Sequence, residues 1–182
     1  MDMLLPLPHY TIQDLESFPD DGQRYELLQG LLLVTPQAGS SHQFLASRLV
    51  ATLDLYLGER AHIAAPGAIQ LLPDTHLEPD VLVIPGHLPA NLPWSEYREH
   101  WLAIEIYSRS SRLYDHDYKR DAYLALGVRE VWLVDPAERS LLVSKAALRD
   151  QRITGTLSWH PAGMEKPLEL SLDRLFRGLG EG

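Results

Sequence analysis

Three charged residues could act together as one chemical set. Glu105 interrupts the run LAIEI at 102–106. Asp80 follows Pro79 at the head of VLVI at 81–84. Lys119 follows in a helical stretch beyond Glu105. A carboxylate inside an apolar strand is costly to bury unless it is paired, protonated or bound to a metal. Two acids on neighbouring strand ends, with one lysine near them, make a chemical set rather than three isolated charges. A fourth candidate, Glu26, lies in the strand-like stretch RYELL at 24–28. Each residue also has an ordinary reading. Asp80 can be a turn or strand-start residue. Glu105 can be half of a buried ion pair with an arginine. Lys119 can pair with Asp115 one helical turn earlier, and Glu26 can face solvent.

The elements that must position this set are legible in outline. Residues 101–136 read as strand, polar loop, helix and strand, and that length suits a parallel crossover. Ser110, Ser111 or Asp115 can start the helix, and Leu126-Gly127 ends it. Upstream, Thr11 caps a short helix with Asp14 as a capping-box partner. Residues 24–34 form a hairpin with Gly30 in its turn. Ser40 or Ser41 caps a helix whose apolar residues Phe44, Leu45, Leu49, Leu53 and Leu57 recur near every 3.6 positions, and Gly58 ends it. Residues 61–72 give strands interrupted by Pro66-Gly67, and 85–98 form an excursion loop. Strands are predicted at 140–145 and 152–159, before the terminal LSLDRLF. The pattern is α/β, a mixed sheet in one domain over 1–182.

Composition sets limits. The chain has 182 residues, 45% of them hydrophobic, with no cysteine and a net charge of −9. That is enough chain for a sizeable core. The absence of cysteine removes disulfides, thiolate metal sites and thiol nucleophiles. The acidic balance argues against polyanion binding by the surface as a whole, while leaving room for a local basic patch or a metal in an acidic site. The opening MDMLLPLPHY is short, acidic at position 2 and broken by prolines, so no signal peptide or membrane span is expected and a cytoplasmic location follows.

Asp80, Glu105 and Lys119, in that order and setting, resemble the PD-(D/E)xK nuclease superfamily. More closely, the chain resembles the Uma-type endonuclease family of restriction-endonuclease-like fold. The matching pieces are YELLQG at 25–30, EPDVLVI at 78–84, AIEIYSRSS at 103–111, and Asp115 with Lys119 followed by AYLALGVREVWLVDP at 122–136. With LSLDRLF they cover most of the chain. There are two departures. Family members commonly carry Ser-Pro-Ser-Thr where this chain has Ser108-Arg109-Ser110-Ser111. The superfamily lysine usually sits two residues after the acid, at the position of Tyr107 here; Lys119 on the helix is the matching residue.

The resemblance implies an Mg²⁺- or Mn²⁺-dependent endonuclease acting on DNA as a homodimer, with no membrane partner. Hard divalent cations take carboxylate and carbonyl oxygens. Asp80, Glu105 and the Ile106 backbone carbonyl are the implied ligands. Lys119 would orient water or neutralise charge at phosphorus, and Glu26 would be a second-metal ligand or a water-positioning group. Read from the residues alone, Arg109, Arg112 and Arg120 are candidate phosphate contacts or, equally, a solvated basic loop. His42 reads as a capping or surface residue, His116 as a loop histidine, and the remaining histidines lack zinc spacing. The four tryptophans read as core or interface residues, with 94–101 a candidate dimer surface, and Asp135 as a turn residue. A competing reading keeps the fold but makes the chain a catalytically weak or inactive binder of nucleic acid or of a protein partner. A different metal-dependent phosphoesterase is a third.

Overall fold

The structure is a computed structural model, and it describes residues 8–107 and 118–179. In chain order the elements are α1 (Ile12–Leu15), β1 (Arg24–Leu28), β2 (Leu31–Thr35), α2 (Ser40–Leu57), β3 (Ala61–Ala64), β4 (Ile69–Leu71), β5 (Thr75–Leu77), β6 (Val81–Pro85), β7 (His100–Ile106), α3 (Arg120–Ala125), β8 (Val128–Asp135), β9 (Ser140–Lys145), β10 (Gln151–Ile153), β11 (Thr156–Trp159), β12 (Leu168–Ser171) and α4 (Leu172–Leu175), with single 3₁₀ turns at Gly58–Arg60 and Trp94–Glu96. The expected α/β class and mixed central sheet are present. A six-stranded sheet runs β10-β9-β8-β7-β6-β3, a four-stranded one β2-β1-β5-β4, and β11 pairs with β12. Within the six-stranded sheet β7 and β8 are parallel, joined through α3, and the other pairs are antiparallel.

The central strands are apolar on both faces because both faces are covered. Val81 and Val83 of β6, Leu102, Ile104 and Ile106 of β7, and Trp132 and Val134 of β8 share one core with Leu45, Leu49, Leu53 and Leu57 of α2. The alternate residues Leu82, Ile84, Ala103, Val131 and Leu133 form a second core with Leu28, Leu33, Ile69 and Leu77 of the four-stranded sheet and Tyr123 of α3. Strand alternation puts Glu105 on the side of Ala103 and Tyr107, where the smaller sheet and α3 arrive. On β1 the same alternation puts Arg24 and Glu26 in phase with Leu28. The hairpin turn has positive φ at both central residues, Gln29 (51°) and Gly30 (77°). That is the twist-matched form for which glycine is preferred.

Several local expectations need correction. The N-cap of α2 is Gly39, with no side-chain cap bond, and Ser40 and Ser41 lie inside the helix. Phe44 is exposed, because the face of α2 that meets the core carries Leu45, Ala46, Leu49, Leu53 and Leu57 instead. The predicted strand at 152–159 is two strands in different sheets, separated before Thr156, with β10 on β9 and β11 on β12. The helix start at 110–115 lies outside the described residues. Trp132 and Trp159 are core residues, as expected, and both indole N–H groups donate to the buried Glu130 carboxylate, which Lys145 also pairs. Asp135 is the expected turn residue, its Oδ1 accepting from the amides of Ala137 and Glu138. No described helix is long and apolar enough to cross a membrane.

His100 opens β7 almost fully buried, and neither ring nitrogen has a hydrogen-bond partner among the described residues. Burial, with the Arg98 charge helping and Glu99 opposing, pushes its pKa down to about 4 from the ordinary 6.5. Below pH 6.5 the unfolded chain takes a proton that the folded one refuses. Stability is therefore expected to fall by up to about 3 kcal/mol as pH drops from 6.5 toward 4. Urea midpoints of wild type and His100→Phe, followed across that range, check it. A stability difference that does not vary with pH would sink the assignment.

Candidate active site

Six elements meet at one end of β6 and β7. Glu26 comes from β1, Asp80 from the residue before β6, and Glu105 from β7. Lys119 stands in the π-helical turn that leads into α3, and Tyr123 one turn further on. His42 comes from the first turn of α2. Glu26, Asp80, Glu105 and Lys119 are all buried, at 0, 5, 2 and 2% exposure. The solvent-facing reading of Glu26 is thereby overturned. Lys119 is buried, and its alternative partner Asp115 lies outside the described residues.

The lysine is the hub. Its Nζ lies 2.7 Å from Glu26 Oε2 and donates to Glu105 Oε1 at 3.2 Å. Tyr123 Oη donates to the same Glu105 oxygen at 2.5 Å. Lys119 and Tyr123 are four apart, so one helix face delivers both to one carboxylate. Burial first, then the negative charges of Glu105, Glu26 and Asp80, hold the Tyr123 hydroxyl well above its ordinary pKa, so it stays a donor. Glu26 is fixed from its other oxygen, which accepts the Glu78 amide at 2.7 Å. Tyr123→Phe, which removes a donor to a buried charge, is expected to cost about 1.5–3 kcal/mol of stability in urea denaturation. A cost under about 0.5 kcal/mol would show that Glu105 does not depend on it.

Asp80 is held by a different set. Its Oδ1 accepts from Arg24 Nη1 at 3.1 Å, and its Oδ2 lies 2.8 Å from both His42 Nε2 and the Ile106 amide nitrogen. Burial alone would raise its pKa, but the His42 hydrogen bond and charge, the Arg24 charge and the Ile106 amide outweigh that and lower it. Its contribution to stability is thus present above its unfolded value of about 3.8 and lost on acidification below it. Arg24 also donates to the Glu78 carbonyl at 3.1 Å. Burial opposes its charge, yet Asp80, Glu105 and Glu26 together raise its pKa. Glu78 is in turn paired with His76 at 3.0 Å. Burial would raise it, but the His76 bond, with the His76, Arg24 and Lys119 charges, lowers it.

The sequence reading missed Arg24, His42 and Tyr123. Arg24 carried one faint signal, the two-residue spacing to Glu26 on a strand. His42 had none, since a histidine in the first turn of a helix reads as a surface or capping group. Arg120 pairs with Asp121 at 2.9 Å and with Asp150 at 2.8 Å. Arg109, Arg112 and His116 lie outside the described residues. Trp94 packs on the buried Tyr97 with ring centres 5.6 Å apart, so part of the 94–101 apolar excess faces inward.

In ligand type, though not in present arrangement, the donors suit a hard divalent cation. The charged oxygens are carboxylates, and among the described residues Glu26, Glu78, Asp80 and Glu105 face two cations, Arg24 and Lys119. Among the same residues no three His, Asp or Glu side chains converge to hold a metal as they stand, and both Asp80 oxygens are engaged by donors.

A family model described as Uma2, Putative restriction endonuclease, matches residues 12–177. No curated protein matches the chain. Among solved structures the chain is similar to the crystal structure of a putative nuclease belonging to DUF820 from Anabaena variabilis ATCC 29413. The TM-score is 0.75 at 18% identity, over 92% of this chain and 97% of that one. A likeness at that identity is a likeness of fold. The family match spans every residue of the cluster, from Arg24 to Tyr123, and the chain belongs to the Uma2 putative restriction endonuclease family.

Proposed function

We propose that the protein is a metal-dependent endonuclease that hydrolyses phosphodiester bonds in DNA. The observation that carries this reading is the buried lysine shared by Glu26 and Glu105 in the cluster that also contains the Arg24–Asp80 pair. Membership in a nuclease-type family supports hydrolysis of nucleic acid as the class of reaction; the metal, the DNA substrate and the residue roles are inferred here. Asp80 and Glu105, with the Ile106 main-chain carbonyl, would hold Mg²⁺ or Mn²⁺. Bound there, the cation would supply Lewis-acid activation of the phosphodiester and of the attacking water. Lys119 holds a positive charge beside Glu105 and stabilises the charge that develops on phosphate oxygens. Glu26 fixes Lys119 in place and is the further acid available to position water. Tyr123 orients Glu105 by its hydrogen bond. A homodimer, one active site for each DNA strand, completes the proposal.

The test is cleavage of supercoiled plasmid with Mg²⁺ or Mn²⁺ by wild type, Glu105→Ala and Lys119→Ala. Metal-dependent nicking or linearisation, lost in both variants, is expected. Activity that survives in Glu105→Ala would place the chemistry elsewhere. Binding of DNA by wild type without cleavage of any DNA or RNA offered would favour the inactive-binder reading.

A further inference from the structure

Two cavities flank Arg24. One, of about 380 Å³, opens over Asp80 between α2 and the turn at Ala65 and Pro66. The other, of about 340 Å³, lies beside β1 and residues 36–38. Arg24 and Gln43 line both, so the two form a trough that runs past the guanidinium. Each is of small-ligand size. Among the described residues lining them, Arg24 is the only arginine or lysine, against Asp54, Glu78 and Asp80. A phosphodiester strand entering this trough meets three acids and one cation already committed to Asp80, and the field there opposes it.

That cation is not fully used. Nη1 serves Asp80 and the Glu78 carbonyl. Nε stands 3.8 Å from the Glu78 carboxylate, beyond hydrogen-bond length. Nη2 makes no hydrogen bond among the described residues, and the side chain is 24% exposed toward the trough while its Asp80 partner is 4% exposed. Arg24 therefore sits at the boundary between the buried acid and the open groove.

We propose that Arg24 is a transferable cation: it neutralises Asp80 until a divalent cation takes that carboxylate, and its guanidinium then engages a phosphate of the DNA strand lying in the trough. This rests on the metal-dependent nuclease reading above. The entering ion brings two positive charges to Asp80, so the carboxylate stays compensated when Arg24 leaves. Arg24 then loses its closest acid, keeps only the longer 3.8 Å approach to Glu78, and offers a planar fork suited to phosphate. Two effects follow. Cation and DNA bind cooperatively, each strengthening the other by the same factor. Arg24 also competes with the cation for Asp80.

Ca²⁺, a hard cation of the same charge, is the probe, with calorimetry for the ion and fluorescence anisotropy for a short labelled DNA duplex. Wild type is expected to bind Ca²⁺, and saturating Ca²⁺ to tighten DNA binding by about tenfold or more. The slope of log affinity against log salt should steepen by about 0.9, the signature of one added phosphate contact. Arg24→Gln is expected to bind Ca²⁺ more tightly than wild type and to lose most of the Ca²⁺-dependent gain in DNA affinity. A loss of packing alone would not tighten the ion. Ca²⁺ binding no tighter in Arg24→Gln, or a full gain retained there, overturns the hand-off. If that variant does not fold, the wild-type salt slope decides, and an unchanged slope overturns it. Wild type that binds no Ca²⁺ overturns the nuclease site reading itself, and the hand-off with it.

Discussion

Lys119→Met is expected to lower the unfolding free energy by about 3–5 kcal/mol, the size typical of removing one partner from a buried ion pair. Methionine fills much of the lysine stem's volume, so the loss reports charge rather than a cavity. Two carboxylates with 0 and 2% exposure, Glu26 and Glu105, would lose the ammonium that lies within 3.2 Å of both. Tyr123 still donates to Glu105, and the Glu78 amide to Glu26, which is why the domain is expected to survive at low temperature. A second substitution separates the mechanism from simple damage. Glu26→Gln keeps an acceptor for the Glu78 amide while removing one of the two charges. Added to Lys119→Met, it should restore about 1 kcal/mol or more. Urea denaturation of the four proteins in that cycle measures it, and strict additivity would mean that the lysine does not act through Glu26.

Asp80→Asn is expected to reduce cleavage by about a thousandfold, equivalent to about 4 kcal/mol in the barrier. Under the proposed reading it removes a charged ligand from the cation that activates both water and phosphate. The change is isosteric, but an amide has one donor end. All three partners of Asp80 can donate: Arg24 to one oxygen, His42 and the Ile106 amide to the other. Either orientation of asparagine turns an N–H toward a donor, at a cost of about 1–3 kcal/mol for a buried polar mismatch. The variant should therefore be less stable as well as inactive, with a melting temperature that no longer responds to Mn²⁺. Wild-type cleavage rates in Asp80→Asn would remove this residue from the site.

Much of the fold was written locally. The hairpin announced itself through Gly30, α2 through its leucine repeat and terminal Gly58, and the crossover through the apolar runs on both sides of a helix that ends at Gly127. These signals are short-range, so one sequence suffices to find them. The chemical set was legible for another reason: Glu105 inside an apolar run conflicts with local burial, and such conflicts concentrate where a protein has uses for them. What could not be read was partnership. Nothing near His42 says that α2 starts beside Asp80, and nothing near Arg24 says that its strand lies against the end of β6, because sheet order rather than sequence distance makes those neighbours. The division of 152–159 between two sheets was hidden in the same way. A strand's local pattern does not say which strand it will pair with.

The two cores also bear on when the chemistry can exist. Arg24 and Glu26 arrive with the four-stranded sheet, whereas Asp80, Glu105, Lys119, Tyr123 and His42 belong to the six-stranded sheet and its helices. One hydrophobic seam, Leu28, Leu33, Ile69 and Leu77 against Leu82, Ala103 and Leu133, joins them. If that seam opens as a cooperative unit below the global unfolding free energy, the larger sheet persists while Lys119 loses one of its two acids and Asp80 loses its guanidinium. A chain still emerging from the ribosome is in a similar condition, since the lysine is synthesised some ninety residues after the first acid it must meet. Half-made or half-open molecules thereby lack the complete cluster of charges, and with it any activity that needs the whole set.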